Sequence, residues 1–461
     1  MVKALTFILA LVIIGISHAQ AGIFNAQTTT LENGLQVVVV PNTRAPIVHH
    51  MLWYKAGSAQ EINGYSGVAH FLEHLLFKGT DHPDRPLAPG EFSTRIKKLG
   101  GQNNAFTSKD YTAFYQTVSK QHLETVMQME ADRIRHAMPP QKHVLSEREV
   151  VIEERKQRTD NNPQARFFEQ MQAALFPGHP YGRPIIGWDE EITKMDHDHT
   201  KAFYDSWYYP NNAVLIIAGD VTLNEILPSV QRIYGAIPKG PETKRHFPVV
   251  PAFEGETRVT HYDDQVNQTL WMRGIRAPSY RQNKTDSLAL QVLENILDGG
   301  ATTRLYKQLV VEKKLAVNVS FSYGADQYGK STIWLSATPA PGIDVDTVED
   351  QIEQLINDVI ETGVTDTELT EAKKRMQNAA ILARDSLSGP AQIIGRALTT
   401  GSTLQDIETW DEQIQSVTKE QIQNVAKQYL KMPPHGKYHY VTGVLYPQED
   451  KQQHKGEGER E

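Results

Sequence analysis

Two landmarks recur along this chain at almost the same interval, and that repetition constrains the fold more than any other feature. The segment QVLEN, Gln291 to Asn295, stands 221 positions after HFLEH, His70 to His74; Gly443 of YHYVTGVLYP stands 224 positions after Gly219 of LIIAGDV. Two amphipathic helices sharing Leu-Glu by accident is the competing explanation. The chain has 461 residues, more than one ordinary hydrophobic core serves. We therefore expect duplicated halves, the second without the two histidines.

The order of elements along the chain is readable from residue type. LQVVVVPN (Leu35 to Asn42) and HMLWYKAGS (His50 to Ser58) are expected strands, rich in β-branched and aromatic residues. A helix is expected over Gly67 to Phe77, and NNAVLIIAGDV, Asn211 to Val221, reads as a buried strand closing the first half. IPKGPETKRHFPVVPAFEGE, Ile237 to Glu256, holds four prolines and mixed charge, the composition of a linker. The expected division is a leader over 1–21, a first domain over 22–236, a linker over 237–256, a second domain over 257–447 and a tail over 448–461 too poor in apolar residues to pack.

The first residues have the three-part layout of an export signal: Lys3, then thirteen apolar or near-neutral residues from Ala4 to Ile16, then small residues ending at Ala21. That apolar run is shorter than the roughly 20 residues a membrane-spanning helix needs. Export with cleavage after Ala21, to a periplasmic or secreted location and with no stable membrane span, is the expectation; an uncleaved anchor is the alternative. The net charge of -8 and the dispersed basic residues exclude an electrostatic footprint for nucleic acid. The chain contains no cysteine, so any metal must be held by His, Asp or Glu.

On a helix each residue advances about 100°, which places His70, Glu73 and His74 on one face and Phe71, Leu72, Leu75 and Leu76 on the other. The apolar side can pack into a core and hold the polar side rigid. Two imidazoles a turn apart suit Zn²⁺, which tolerates carboxylate as a third ligand and leaves a position for water in catalytic sites. A metal lowers the pKa of that water, and a neighbouring carboxylate such as Glu73 can take its proton. A third ligand should come from another acidic helix. VLSEREVVIEERKQR, Val144 to Arg158, carries Glu147, Val151 and Glu154 along one stripe, while Glu149 and Glu153 fall on other faces, solvated or paired with Arg and Lys. A merely charged surface helix is the bland reading.

These residues resemble the pitrilysin/insulinase metallopeptidases, the inverzincins, whose inverted zinc motif matches His70-Phe71-Leu72-Glu73-His74. GSAQE (Gly57 to Glu61) and GVAH precede the motif as in that family, and Glu147 with Glu154 reproduces its pair of glutamates seven positions apart. GGQNNAFTSKDYTAFY (Gly100 to Tyr115), HPYGRPIIG (His179 to Gly187) and YYPNNAVLIIAGDV (Tyr208 to Val221) extend the likeness. The resemblance implies one Zn²⁺ per chain held by His70, His74 and Glu154, with Glu73 as general base and Glu147 as a carboxylate that orients or tunes the site. It implies an α+β fold of two similar halves, each an antiparallel sheet with helices on one side, arranged as a clamshell. It also implies that a peptide substrate adds to an edge strand, at Asn104, Ala105, Phe106 and Thr107, through main-chain hydrogen bonds.

One departure stands out. The family's second half carries an Arg and, seven positions later, a Tyr that reach the substrate. Aligning GGATTRLYKQLVVEKKLAVNVS, Gly299 to Ser320, puts Val310 and Val317 there, and neither can donate a hydrogen bond; Arg304 and Tyr306 match a different, structural part. This resembles the two-subunit members, including the mitochondrial processing peptidase, and implies a homologous partner that supplies the pair. A homodimer or self-sufficient monomer is the competitor. The expected function is a zinc endopeptidase acting on peptides or unfolded segments. A non-catalytic structural or chaperone-like subunit and a metal-storage or sensing protein are the alternatives; intact Glu73 argues against the first, and a His₂Glu set with an adjacent base, an open site, against the second.

Overall fold

The β-branched and aromatic runs form two sheets with one shared plan. A computed structural model of the chain describes residues 22–137, 141–431 and 438–448; the expected leader and all of the expected tail beyond Gln448 lie outside these. The first sheet contains β1 (Gln27–Thr30), β2 (Gln36–Pro41), β3 (Ile47–Tyr54), β4 (Gln102–Thr107), β5 (Thr112–Ser119) and β6 (Ala213–Gly219). The second contains β7 (Arg258–Asp263), β8 (Leu270–Ala277), β9 (Ala316–Tyr323), β10 (Ser331–Pro339) and β11 (Tyr440–Pro447).

Strand order is β1-β2-β6-β3-β5-β4 in the first sheet and β7-β11-β8-β10-β9 in the second. Without β1, the two orders are the same. Each sheet is antiparallel except for one pair, β2 with β6 and β7 with β11, which run parallel. The late strand of each half is thus inserted in the middle of its sheet, and in the first half this is why its sequence is continuously apolar: every residue of β6 is buried. The landmark glycines occupy these inserted strands, Gly219 opposite Val48 and Gly443 opposite Met272.

The boundaries of β3 differ from the expected His50 to Ser58. The strand begins at Ile47 and stops at Tyr54, because its pairing with β5 runs from Ile47 opposite Ser119 to Tyr54 opposite Thr112. His49 and His50 are buried within it. His50 is satisfied there by Gln116 and Tyr234, each 2.8 Å from one ring nitrogen. Gly57 and Ser58 belong instead to a turn whose Ser58 N–H donates to the Ser108 carbonyl at 3.0 Å.

Helices crowd one face of each sheet around a separate apolar core. The opposite faces are covered by exchange. Helix Pro163–Leu175, from the first half, lays Phe167, Met171 and Leu175 against Val441 and Leu445 of the second sheet. Helix Gly389–Thr400, from the second half, lays Ala391, Ile394 and Ala397 against the face of the first sheet that carries Trp53. Both contacts need a glycine for close approach: a Cβ at Gly443 would collide with Met171, and one at Gly395 with the Trp53 indole. The duplication therefore builds one interlocked body.

Candidate metal centre

The helix Val68–Leu75 is fixed from two sides. Val68, Ala69, Phe71, Leu72 and Leu75 are buried in the first core, so the ridge bearing His70, Glu73 and His74 cannot rotate away from the second helix, Gln141–Arg155, against which it packs. At its start, the buried Glu61 carboxylate accepts the Ala69 N–H at 3.0 Å. Burial pushes Glu61 up to about 8 despite that hydrogen bond. Glu61 stands in the GSAQE stretch, but nothing in its spacing reveals that it caps the motif helix.

Three side chains converge where the two helices meet. One ligand-type atom from each of His70, His74 and Glu154 lies within 4.8 Å of the others, the one such group among the described residues. Glu154 Oε2 stands 3.2 Å from His74 Nε2 and 3.7 Å from His70 Nε2. This buried oxygen has no hydrogen-bond partner. Three donors aimed at one point without satisfying one another fit a tetrahedral cation with His₂Glu ligation, and the absence of thiolates fits zinc held by nitrogen and oxygen.

The surroundings of each donor set its charge. Burial and the adjacent His74 push His70 down to about 4, so it is neutral and can donate a lone pair. Burial also opposes charge on His74, but the carboxylates of Glu147 and Glu154 outweigh it and raise the imidazole to about 9. Glu147 Oε1 contacts His74 Nδ1 at 3.0 Å, leaving Nε2 toward Glu154. The second Glu147 oxygen pairs with Lys78, and Glu154 Oε1 pairs with Arg158 at 2.7 Å. The adjacent His74 imidazole is the main influence holding Glu154 below the ordinary carboxylate value.

Because Glu147 holds the His74 ring through Nδ1, Glu147→Gln is expected to weaken metal affinity by about 10–100-fold without unfolding the chain. Competition against a chromophoric chelator measures it. An unchanged affinity would remove Glu147 from the site.

Glu73 sits beside the cluster but outside it. Burial raises its pKa, and the Thr107 hydroxyl, which donates to Glu73 Oε2 at 2.5 Å, partly opposes this. Thr107 ends β4, the edge strand of the first sheet, which pairs only with β5. Its side chains alternate: Thr107 reaches Glu73, whereas Phe106 turns to the other face, 5.3 Å from the Trp53 ring. Asn104, Ala105, Phe106 and Thr107 all border the cavity above the cluster, whose volume is about 960 Å³. Phe106 can meet a ligand there only through its backbone.

Glu149 and Glu153, read as solvated, are exposed and border the same cavity. Every residue lining it lies between His70 and Ile186. Val310 packs half-buried on the second core and Val317 is 44% exposed on β9; neither lines this cavity.

Comparison with known proteins places these features. The profile described as Insulinase (Peptidase family M16) matches residues 36–189, and that described as Peptidase M16 inactive domain matches 194–376. A relative in Helicobacter pylori called zinc protease PqqE is 28% identical over 91% of this chain and 94% of its own length. The uncharacterized zinc protease ML0855 of Mycobacterium leprae is 30% identical over 87% of this chain and 88% of its own. The crystal structure of a protease from Helicobacter pylori aligns with a TM-score of 0.83 at 28% identity, covering 92% of this chain and 99% of that one. The first half of the periplasmic protease PqqL from Escherichia coli shares the fold, with a TM-score of 0.75 at 18% identity and 93% of each chain covered.

Proposed function

Since the chain belongs to the insulinase (M16) family of peptidases, we propose that it is a zinc-dependent endopeptidase hydrolysing peptides or unfolded segments. The observation that carries this is the convergence of His70, His74 and an unpartnered Glu154 oxygen next to a separate, buried Glu73. His70, His74 and Glu154 would hold the ion, which supplies Lewis acidity and lowers the pKa of water. Glu73 takes the proton of the attacking water and delivers it to the departing amine, a role its raised pKa suits. Glu147 holds the His74 ring in place. A peptide pairs with the open edge of β4, its main chain meeting Asn104 to Thr107 and its scissile bond lying over the cluster.

The domains follow the same reading: 22–236 catalytic, 257–447 homologous without the metal, and 237–256 the linker, a stretch bounded by the helix ending at Ile233 and by Arg258 of β7. The leader directs the chain to the periplasm or outside the cell. An alternative, a non-catalytic structural or chaperone-like subunit, draws on the description "inactive domain". That match covers 194–376, from the end of the first half into the half in which the histidines are replaced.

A homologous partner completes the site in this account. All of the cavity wall comes from the first half, which supports a closing face brought by another chain together with the Arg and Tyr missing at Val310 and Val317. The whole PqqL chain is about twice as long, this chain covering 47% of it, which suits a pair of such units facing each other. Mixing the purified chain with a homologue that lacks the histidines and carries the Arg and Tyr is expected to switch on turnover. Full turnover by the unmixed chain would discard the partner.

A further inference from the structure

The shared plan gives the metal cavity a counterpart in the second half. Advancing 221 residues from His70, Glu73 and His74 reaches Gln291, Glu294 and Asn295, on the helix Lys284–Leu297. That helix packs against Asp366–Asp385, which occupies the place of the acidic helix. Between them lies a cavity of about 420 Å³, bordered by Gln291, Asn295, Met376 and Trp410. Phe24 closes it from the first half, held in place by its N–H donating to Glu408 at 2.8 Å.

The cavity has kept its position and changed its chemistry. Amides stand where imidazoles would, and both are engaged: Asn295 Oδ1 accepts from Arg375 at 3.0 Å and Gln291 Oε1 from Trp410 Nε1 at 3.1 Å. Among the described residues no metal donor set remains there. One charged group on the wall is unused. Asp326, in the loop after β9, has neither a hydrogen bond nor an ion pair among the described residues. Burial pushes its carboxyl up, against the field of Arg396.

We propose that this cavity is a second binding site, taking a compact apolar molecule that carries a protonated amine. The volume lies within the range of small-molecule sites, about 300–1,000 Å³. An ammonium would give Asp326 the charge-assisted hydrogen bond that no protein group provides, while the apolar body displaces water from Met376, Phe24 and Trp410. A neutral molecule of the same shape leaves the carboxyl unpaired, and an anion is repelled by it. Because the walls come from both halves, the occupied cavity ties the N-terminal segment to the second half.

The test uses the mature chain, 2-phenylethylamine as probe and 2-phenylethanol as its neutral counterpart, by calorimetry. Saturable amine binding is expected, about tenfold weaker for the alcohol and for Asp326→Asn, and lost in Ala380→Phe, which fills the cavity. A change in Trp410 fluorescence on amine addition, absent from Trp410→Phe, locates the same event if Ala380→Phe fails to fold. Chelation is expected to leave binding intact, which separates this site from the metal centre. Equal affinity for amine and alcohol, binding that persists in folded Ala380→Phe, or no binding at all would each overturn the proposal.

Discussion

Glu73→Gln is expected to retain zinc and to lose peptide hydrolysis by about 10²–10⁴-fold, the contribution a positioned general base makes. The substitution isolates proton transfer. A Gln carbonyl oxygen can still accept from Thr107, which donates to Glu73 Oε2 at 2.5 Å, so the side chain keeps its place. The amide has no useful proton affinity. His70, His74 and Glu154 are untouched, so metal content by mass spectrometry should match the parent. A Glu73→Gln protein that cleaved a quenched peptide at the parent rate would refute the assigned base.

His74→Ala is expected to lose both metal and activity. Truncation leaves two donors for the ion, His70 and Glu154, and strips Glu147 of the ring contact it makes at 3.0 Å. It also removes the group that chiefly keeps Glu154 ionised. The fold should survive, because the buried face of the helix is carried by Phe71, Leu72 and Leu75; circular dichroism checks that. The two variants together separate the roles: one keeps the ion and loses the chemistry, the other loses both. Native metal affinity in His74→Ala would show the ligand set to be wrong.

The motif helix was legible in the sequence because its information is local. Residues three and four apart share a face on any helix, and the same rule placed Glu147 and Glu154 on one stripe. The duplication was legible because one landmark lies on matching helices, Val68–Leu75 and Lys284–Leu297, and the other on the strands inserted mid-sheet. Apart from Glu154 joining the two histidines, what escaped were the contacts between segments far apart in the chain. Nothing in NAFTS announces that Thr107 will donate to Glu73, nor in GSAQE that Glu61 will cap the motif helix. The amphipathic pattern of Pro163–Leu175 shows an apolar face but not which sheet it covers, and it covers the one built by the other half. The polar His49 hid the true start of β3, since it is accommodated by Thr117, a distant residue whose hydroxyl meets its Nδ1 at 2.8 Å.

The central claim is that peptide hydrolysis depends on an ion held by His70, His74 and Glu154. Its most direct test is cleavage of a quenched fluorescent peptide library by the mature chain with its homologous partner, before chelation, after chelation and after zinc is restored. The account predicts cleavage that chelation abolishes and zinc returns. Cleavage that persists after exhaustive chelation would contradict it.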